Sequence, residues 1–352
     1  LDAVFNNCGD GFWAFKDLAS SGESSAFRDW FFPSVFPLSS DPLNYQTCGG
    51  ASYLPKLNLH NPQVRQHLLE AAVYWLKEAG IDGWRLDVPW KAPQDFWHEF
   101  RQVVKAANSQ AFIVAEAWRD TLHWIQGDTS DAVMNYPLRD YVLDYCARDA
   151  MDAEDLDYFI RRQHAEYGPA ADSQLNLLGS HDTPRVFTLC GGDLRRLIPA
   201  VTLQFTLPGA PLVYYGDEIG LPGENDPDCR RCMPWDPAQW EPRINQVYRL
   251  LIQARRQHPA LRHGAYTSLL TVNAVYAYAR YTPDDQVLVV LNPRQVLPDV
   301  RLPLGALRQF ANLPNITWED LFTGKIYASK GGFLQIGELP SGQSLVLFPA
   351  QG

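Results

Sequence analysis

From residue 61 to residue 257 the chain alternates short apolar runs with amphipathic stretches, a pattern that restricts it to a parallel sheet built from repeated β/α units. The runs 1–5, 82–87, 111–116, 132–134, 175–178 and 211–215 read as six strands. Helices fill the intervals. Asn61 is an N-cap ahead of Pro62, and Val64, Leu68, Leu69, Ala72, Trp75, Leu76 and Ala79 recur at helical spacing before Gly80 stops the run. A second helix carries Phe96, Trp97, Phe100, Val103 and Val104, and others are predicted from about residue 137, over 194–205 and over 244–257. A closed (β/α)8 TIM barrel needs eight strands, so barrel strands 1 and 2 are expected to lie upstream of Leu1.

Residues 7–60 are too long for an ordinary loop and dense in Gly, Pro, Ser and aromatics, which predicts a small domain inserted after the first strand. Beyond about residue 261 the pattern changes to strands at 274–281, 286–291, 332–336 and 343–348 separated by turn residues. The expected division is therefore 1–260 for a partial catalytic barrel with 7–60 inserted, and 261–352 for a C-terminal antiparallel β-sandwich. With 352 residues, 46% of them hydrophobic, the chain has enough apolar surface for a large core and a smaller one. A net charge of -10 without a basic block argues against nucleic acid or an anionic membrane as partner. No run approaches the roughly 18 apolar residues of a membrane span.

The six cysteines are irregularly spaced and do not form a disulfide framework for a chain of this size. Cys8 and Cys48 lie in one excursion where they are able to pair. Cys229 and Cys232 form a CxxC without the second ligand pair that a zinc site requires.

Three of the apolar runs lead to carboxylates: Asp87, Glu116 and Asp182. An acid at the end of an apolar strand is costly unless it is paired or used. Side chains alternate along a strand, so Arg85 and Asp87 share a face and a guanidinium is predicted beside that carboxylate. Glu116 follows Phe112, Ile113, Val114 and Ala115 with no cation in its own strand, a setting expected to be apolar and to favour a protonated acid. Each feature also has a plainer reading: a structural ion pair at Arg85, a polar strand end at Glu116, and a turn cap at His181-Asp182. Three acids in order at β/α spacing favour one shared site, and paired carboxylates are the equipment of glycoside hydrolysis.

These segments resemble the motifs of the alpha-amylase superfamily, glycoside hydrolase family 13. Leu1-Asp2-Ala3-Val4-Phe5-Asn6-Asn7 resembles its first motif and Gly83-Trp84-Arg85-Leu86-Asp87 its second, which implies that Asp87 is the nucleophile and Arg85 its orienting partner. Ala115-Glu116 resembles the third, implying a general acid/base. Ser180-His181-Asp182 resembles the fourth, implying that Asp182, helped by His181, binds the reacting sugar's hydroxyls. The resemblance further implies substrate contacts by Asp2, Asn7, Lys56, Trp118 and Arg185.

Leu54-Pro55-Lys56-Leu57-Asn58, Gly209-x-Pro211, Tyr214-Tyr215-Gly216-Asp217-Glu218 and Asp226-Pro227-x-x-Arg230-Arg231 with Met233-x-Trp235 are similar to the neopullulanase, cyclomaltodextrinase and maltogenic amylase branch. Cys232 stands where that branch usually has Pro. Asn7 stands where the first motif normally ends in His, a change expected to cost about 1–3 kcal/mol of transition-state binding.

What the resemblance implies is a retaining α-glycosidase acting on α-glucan oligosaccharides, with hydrolysis by a covalent glycosyl-enzyme. Transglycosylation by the same residues and a catalytically silent homologue serving as a binding domain are the alternatives. Metal-dependent hydrolysis through His181 and Asp182 is disfavoured because no HExxH or similar spacing occurs. No cofactor is required. Structural calcium is allowed, with Asn6 at a place where some family members ligate it. The branch is mostly intracellular, which gives a cytoplasmic expectation, and it allows a homodimer of the full-length protein.

Overall fold

The computed structural model describes residues 1–307 and 316–350; of the expected C-terminal domain, 308–315 and 351–352 lie outside the described residues. The chain forms two compact units, Leu1–Met134 and Asn135–Gly352.

The first unit contains β1 (Asp2–Ala3), α1 (Trp13–Ser21), α2 (Pro62–Glu78), β2 (Gly83–Leu86), α3 (Gln94–Ala107), β3 (Phe112–Ala115) and β4 (Ala132–Val133). Its strands pair in parallel in the order β1-β2-β3-β4, with Asp2 opposite Arg85 and Leu86 opposite Ala115. Helix α2 begins as its sequence predicts. The Asn61 side chain accepts the Gln63 N–H at 2.8 Å, Pro62 occupies the first turn, and Val64, Leu68, Leu69, Ala72 and Leu76 are buried. Trp75 and Ala79 depart from that stripe. Both are exposed: the helix ends at Glu78, the Trp75 carbonyl accepts from Ala79 and Ile81, and the indole rests edge-on against Tyr74. Beneath the helices Phe5, Trp84, Phe96 and Phe100 pack as one aromatic cluster, with Phe5 and Phe100 centroids 5.9 Å apart.

Within 7–60, α1 is joined by short 3-10 turns and by single antiparallel bridges such as Asn7 with Lys56 and Thr47 with Pro55. The pairing considered for Cys8 and Cys48 is not made. Both are free thiols, and Cys8 Sγ lies 3.9 Å from the Pro55 carbonyl.

The second unit contains α4 (Tyr136–Cys146), α5 (Ala153–Tyr167), β5 (Leu175–Leu177), α6 (Val186–Leu189), α7 (Leu194–Thr206), β6 (Ala210–Leu212), α8 (Pro242–Gln257) and α9 (Pro259–His263). Strands β5 and β6 pair in parallel, and β6 is shorter than the predicted 211–215. Helix α5 was not predicted as a separate element. Asp152 caps it by accepting the Glu154 and Asp155 N–H groups, and few of its residues, among them Leu156 and Ile160, are buried.

Among the described residues an eight-stranded antiparallel sheet follows: β7 (Ala265–Val272), β8 (Val275–Tyr281), β9 (Gln286–Asn292), β10 (Leu297–Pro303), β11 (Thr317–Asp320), β12 (Ile326–Lys330), β13 (Phe333–Leu339) and β14 (Gln343–Pro349), in the order β10-β13-β12-β11-β14-β9-β8-β7. The sequence predicted four of these. The central strands β8, β9 and β14 are nearly continuous apolar runs buried on both faces, whereas β7 and β10 at the edges carry register shifts and β10 includes Pro298 and Pro303.

Candidate active site

The register of the first unit's sheet sets the geometry at its strand tips. Arg85 and Asp87 lie two residues apart on the same face, and Arg85 Nη1 donates to Asp87 Oδ1 at 2.9 Å, as the alternation predicts. The same nitrogen reaches Asp2 Oδ1 at 3.2 Å across the β1–β2 pair. Arg85 Nη2 lies 3.0 Å from Glu116 Oε2, an ion pair without the angle of a hydrogen bond, and Nε donates to Met134 Sδ at 3.3 Å. One planar guanidinium therefore gathers three carboxylates. Burial works against its charge, but Glu116, Asp2 and Asp87 together outweigh that and hold its pKa above the usual arginine value.

Glu116 is only 3% exposed, yet its surroundings are not the apolar ones its own strand predicts. Besides the Arg85 ion pair, Oε2 accepts the Val88 backbone N–H at 3.0 Å and Oε1 accepts Trp118 Nε1–H at 2.9 Å. The cation comes from the neighbouring strand and one donor from the turn after Asp87, so the strand's own composition does not reveal them. Val88 has φ 36° and ψ 54°. For a β-branched residue this left-handed conformation costs about 1–3 kcal/mol.

In the second unit Asp182 lies in the loop after β5, five residues beyond the strand rather than at its tip. Its Oδ2 is 3.1 Å from His181 Nε2 and its Oδ1 is 3.2 Å from Arg230 Nη2, while its N–H donates to Ser180 Oγ. Cys229 Sγ and Arg230 Nε both donate to the His181 carbonyl, at 3.1 and 3.0 Å. The loop carrying the CxxC thus supports the His181-Asp182 turn. Arg230 was not among the residues expected at the site, although its motif is legible in Asp226-Pro227-x-x-Arg230.

Arg185 needs a correction. It was expected to touch substrate, but it is fully buried: Nε donates to the Cys229 carbonyl at 2.8 Å and Nη1 to the Tyr215 carbonyl and to Asp217 Oδ1, while Nη2 is buried without a hydrogen-bond partner. Its guanidinium also lies 4.0 Å from the Tyr214 ring centre and 4.6 Å from that of Tyr215. Desolvation pushes the Asp217 carboxyl up to about 7 despite the Arg185 charge beside it.

Of the remaining predicted residues, Asp2 is exposed and paired with Arg85, and Trp118 is bonded to Glu116. Asn7 is 6% exposed, and its Oδ1 accepts from Asn6 Nδ2 at 2.9 Å. Lys56 pairs with Asn7 by a single bridge and holds its ammonium 5.8 Å from the Phe32 ring centre. Among the described residues no three His, Cys, Asp or Glu side chains form a metal-ligand group. Cys229 is buried and Cys232 exposed, both as free thiols.

Parallel β/α units with an arginine and acids gathered at the strand tips, followed by an antiparallel sheet, define a TIM-barrel enzyme class with paired carboxylates. The chain belongs to the alpha-amylase family: residues 1–252 match the family described as "Alpha amylase, catalytic domain". It is 39% identical over 346 residues to a cyclomaltodextrinase of Geobacillus thermopakistaniensis, covering 97% of this chain and 58% of that protein. To neopullulanase 2 of Thermoactinomyces vulgaris it is 40% identical, covering 99% of this chain and 59% of that protein. Among solved structures it resembles the ligand-free cyclic alpha-maltosyl-(1-->6)-maltose hydrolase from Arthrobacter globiformis, with a TM-score of 0.87, 39% identity, 99% of this chain covered and 75% of that one. The chain spans a little over half the length of the curated relatives it matches. The TIM-barrel catalytic fold and the C-terminal antiparallel sheet expected from the sequence are therefore those of the family.

Proposed function

We propose that the chain is the catalytic part of a retaining α-glycosidase that hydrolyses α-1,4 and α-1,6 bonds of maltooligosaccharides, cyclodextrins or pullulan. The observation that carries this reading is the shared guanidinium, with Arg85 2.9 Å from Asp87 and 3.0 Å from Glu116. Two carboxyls held on one arginine are neighbours at one site, an arrangement compatible with the separation of about 5–5.5 Å that retention requires. Names among the relatives, cyclomaltodextrinase and neopullulanase, supply the glucan class.

In this mechanism Glu116 protonates the glycosidic oxygen while Asp87 attacks the anomeric carbon, forming a covalent ester. Arg85 fixes Asp87 through Oδ1 and leaves Oδ2 as the attacking oxygen. Once the ester has neutralised Asp87, the guanidinium charge is balanced by Glu116, which has given up its proton and takes the next one from water. The family's fourth motif gives Asp182 the task of hydrogen-bonding the sugar hydroxyls, worth most when those bonds tighten at the oxocarbenium-like transition state. An intracellular site of action fits the intracellular maltogenic amylase of Bacillus subtilis among the relatives. Among the described residues no helix is long and apolar enough to cross a membrane.

The test is to incubate the full-length protein with maltotriose, β-cyclodextrin and pullulan and follow fresh products by proton NMR. Axial anomers are expected first, and Asp87→Asn is expected to lower turnover about 10⁴-fold or more with folding unchanged. Equatorial products first would overturn the retaining mechanism. A folded protein without turnover would make the chain a silent homologue, and new oligosaccharides dominating at high sugar concentration would make it a transglycosylase.

A further inference from the structure

The backbone of Val88 is disfavoured on three separate grounds. Its φ of 36° puts an L residue in the left-handed region, its Cβ is branched, and it precedes Pro89, whose ring disfavours helical-type backbone in the residue before it. A conformation of this kind persists only where its surroundings over-determine it. Here they do. Pro89 opens a 3-10 turn, the Val88 carbonyl accepts the Lys91 N–H at 2.9 Å, and the buried Trp97 Nε1–H donates to the Pro89 carbonyl at 2.8 Å.

What the twist achieves is visible in the sheet register. Leu86 is opposite Ala115, and the Glu116 N–H donates to the Leu86 carbonyl at 3.0 Å. Were the parallel ladder to continue, its next donor, the Val88 N–H, would meet the Glu116 backbone carbonyl. The left-handed turn redirects that N–H by one group, onto Glu116 Oε2 at 3.0 Å. We infer that Val88 is a positioning residue: its strained backbone, placed immediately after Asp87, aims an N–H at Glu116 and so holds the acid/base carboxyl in register with the nucleophile. The inference rests on the assignment of Glu116 as acid/base made above.

The test uses the full-length protein with Val88 replaced by its α-hydroxy acid, so that an ester oxygen stands where the N–H was and the side chain is kept. Two substrates are compared, maltotriose, whose poor leaving group needs protonation, and a nitrophenyl α-maltoside, whose good leaving group does not. The ester variant is expected to lose about 10- to 100-fold in kcat on maltotriose while losing less than about 3-fold on the aryl maltoside. Equal losses on both substrates, or no loss on maltotriose, would overturn the positioning role. Glu116→Gln is run alongside. If it spares maltotriose turnover, the acid/base assignment itself fails; if it selectively abolishes that turnover while the ester variant is unchanged, only the Val88 inference fails. Val88→Gly tests the strain against Val88→Ala, which removes nearly the same side chain but keeps the Cβ: the glycine variant should have the higher Tm, since glycine adopts positive φ without a Cβ clash. An alanine variant more stable than the glycine one, as at an ordinary backbone position, would mean that the native backbone here carries no strain.

Discussion

Arg185 is enclosed by carbonyls from two loops, one carboxylate and two tyrosine rings, which occupy its Nε, its Nη1 and the faces of its guanidinium and leave only Nη2 without a hydrogen-bond partner. A lysine has a single ammonium and cannot reach all of these acceptors at once, so it would leave buried oxygens without partners. Arg185→Lys is expected to cost about 3–5 kcal/mol of stability, with KM on the folded enzyme changed less than about twofold. Urea denaturation and KM measured on one preparation check this, and a raised KM with intact stability would return Arg185 to the substrate-contacting residues. Sequence does not distinguish an arginine aimed at a ligand from one folded inward, because both follow a polar turn. Arg85 was legible for the opposite reason: strand periodicity alone places it beside Asp87. Glu116 was legible as an acid and not in its surroundings, since its partners, the Arg85 ion pair and the Val88 and Trp118 N–H donors, all lie outside its own strand.

At the scale of elements, helix α3 is tied to strand β3 by one side chain that drew no notice in the sequence. Asp131, just before β4, accepts Arg101 Nη1 at 2.8 Å on Oδ1, and Lys105 Nζ at 2.8 Å with the Ile113 N–H at 2.9 Å on Oδ2. Lys105 also donates to the Ala111 carbonyl, so the latch joins the end of α3 to the start of β3. Asp131→Asn keeps the shape, removes the charge and leaves two cations short of a partner. A loss of about 2–3 kcal/mol is expected, read as a lower urea midpoint, and a change within error would reduce the latch to decoration. Helix α2 was legible because its cap, proline and apolar stripe all agree. Helix α5 was not, because its sequence is dominated by charged and polar residues and its start is marked mainly by Asp152. The edge strands β7 and β10 and the short β11 and β12 were missed on similar grounds: Thr, Ser, Pro and charges interrupt them, and their identity as strands comes from neighbours distant in sequence.

For the molecule as a whole, half-buried and buried acids contribute to stability with opposite pH dependence. Asp131 and Asp285 feel desolvation as the largest influence, but hydrogen bonds outweigh it and hold both below the usual carboxylate value: Lys105, Arg101 and the Ile113 N–H for the first, His258 and the Ala260 N–H for the second. Their contribution is present above the unfolded value of 3.8 and is lost as pH falls through the lower folded values. Asp217 has the reverse sign. Between 3.8 and about 7 the folded protein keeps a proton there that the unfolded chain has released, so stability declines across that window and levels off above it. Asp217→Asn should therefore flatten the fall of stability between about pH 4 and 7, read from Tm against pH, whatever it does to the absolute value. An unchanged slope in the variant would count against this account. In the C-terminal sheet, prolines 298 and 303 have no hydrogen to lend a neighbour, and both outer strands are bent out of step with any straight newcomer. Such edges hinder a second molecule from lengthening the sheet rung by rung, so contacts made there would be read by side chains more than by backbone and would be changed by altering those side chains.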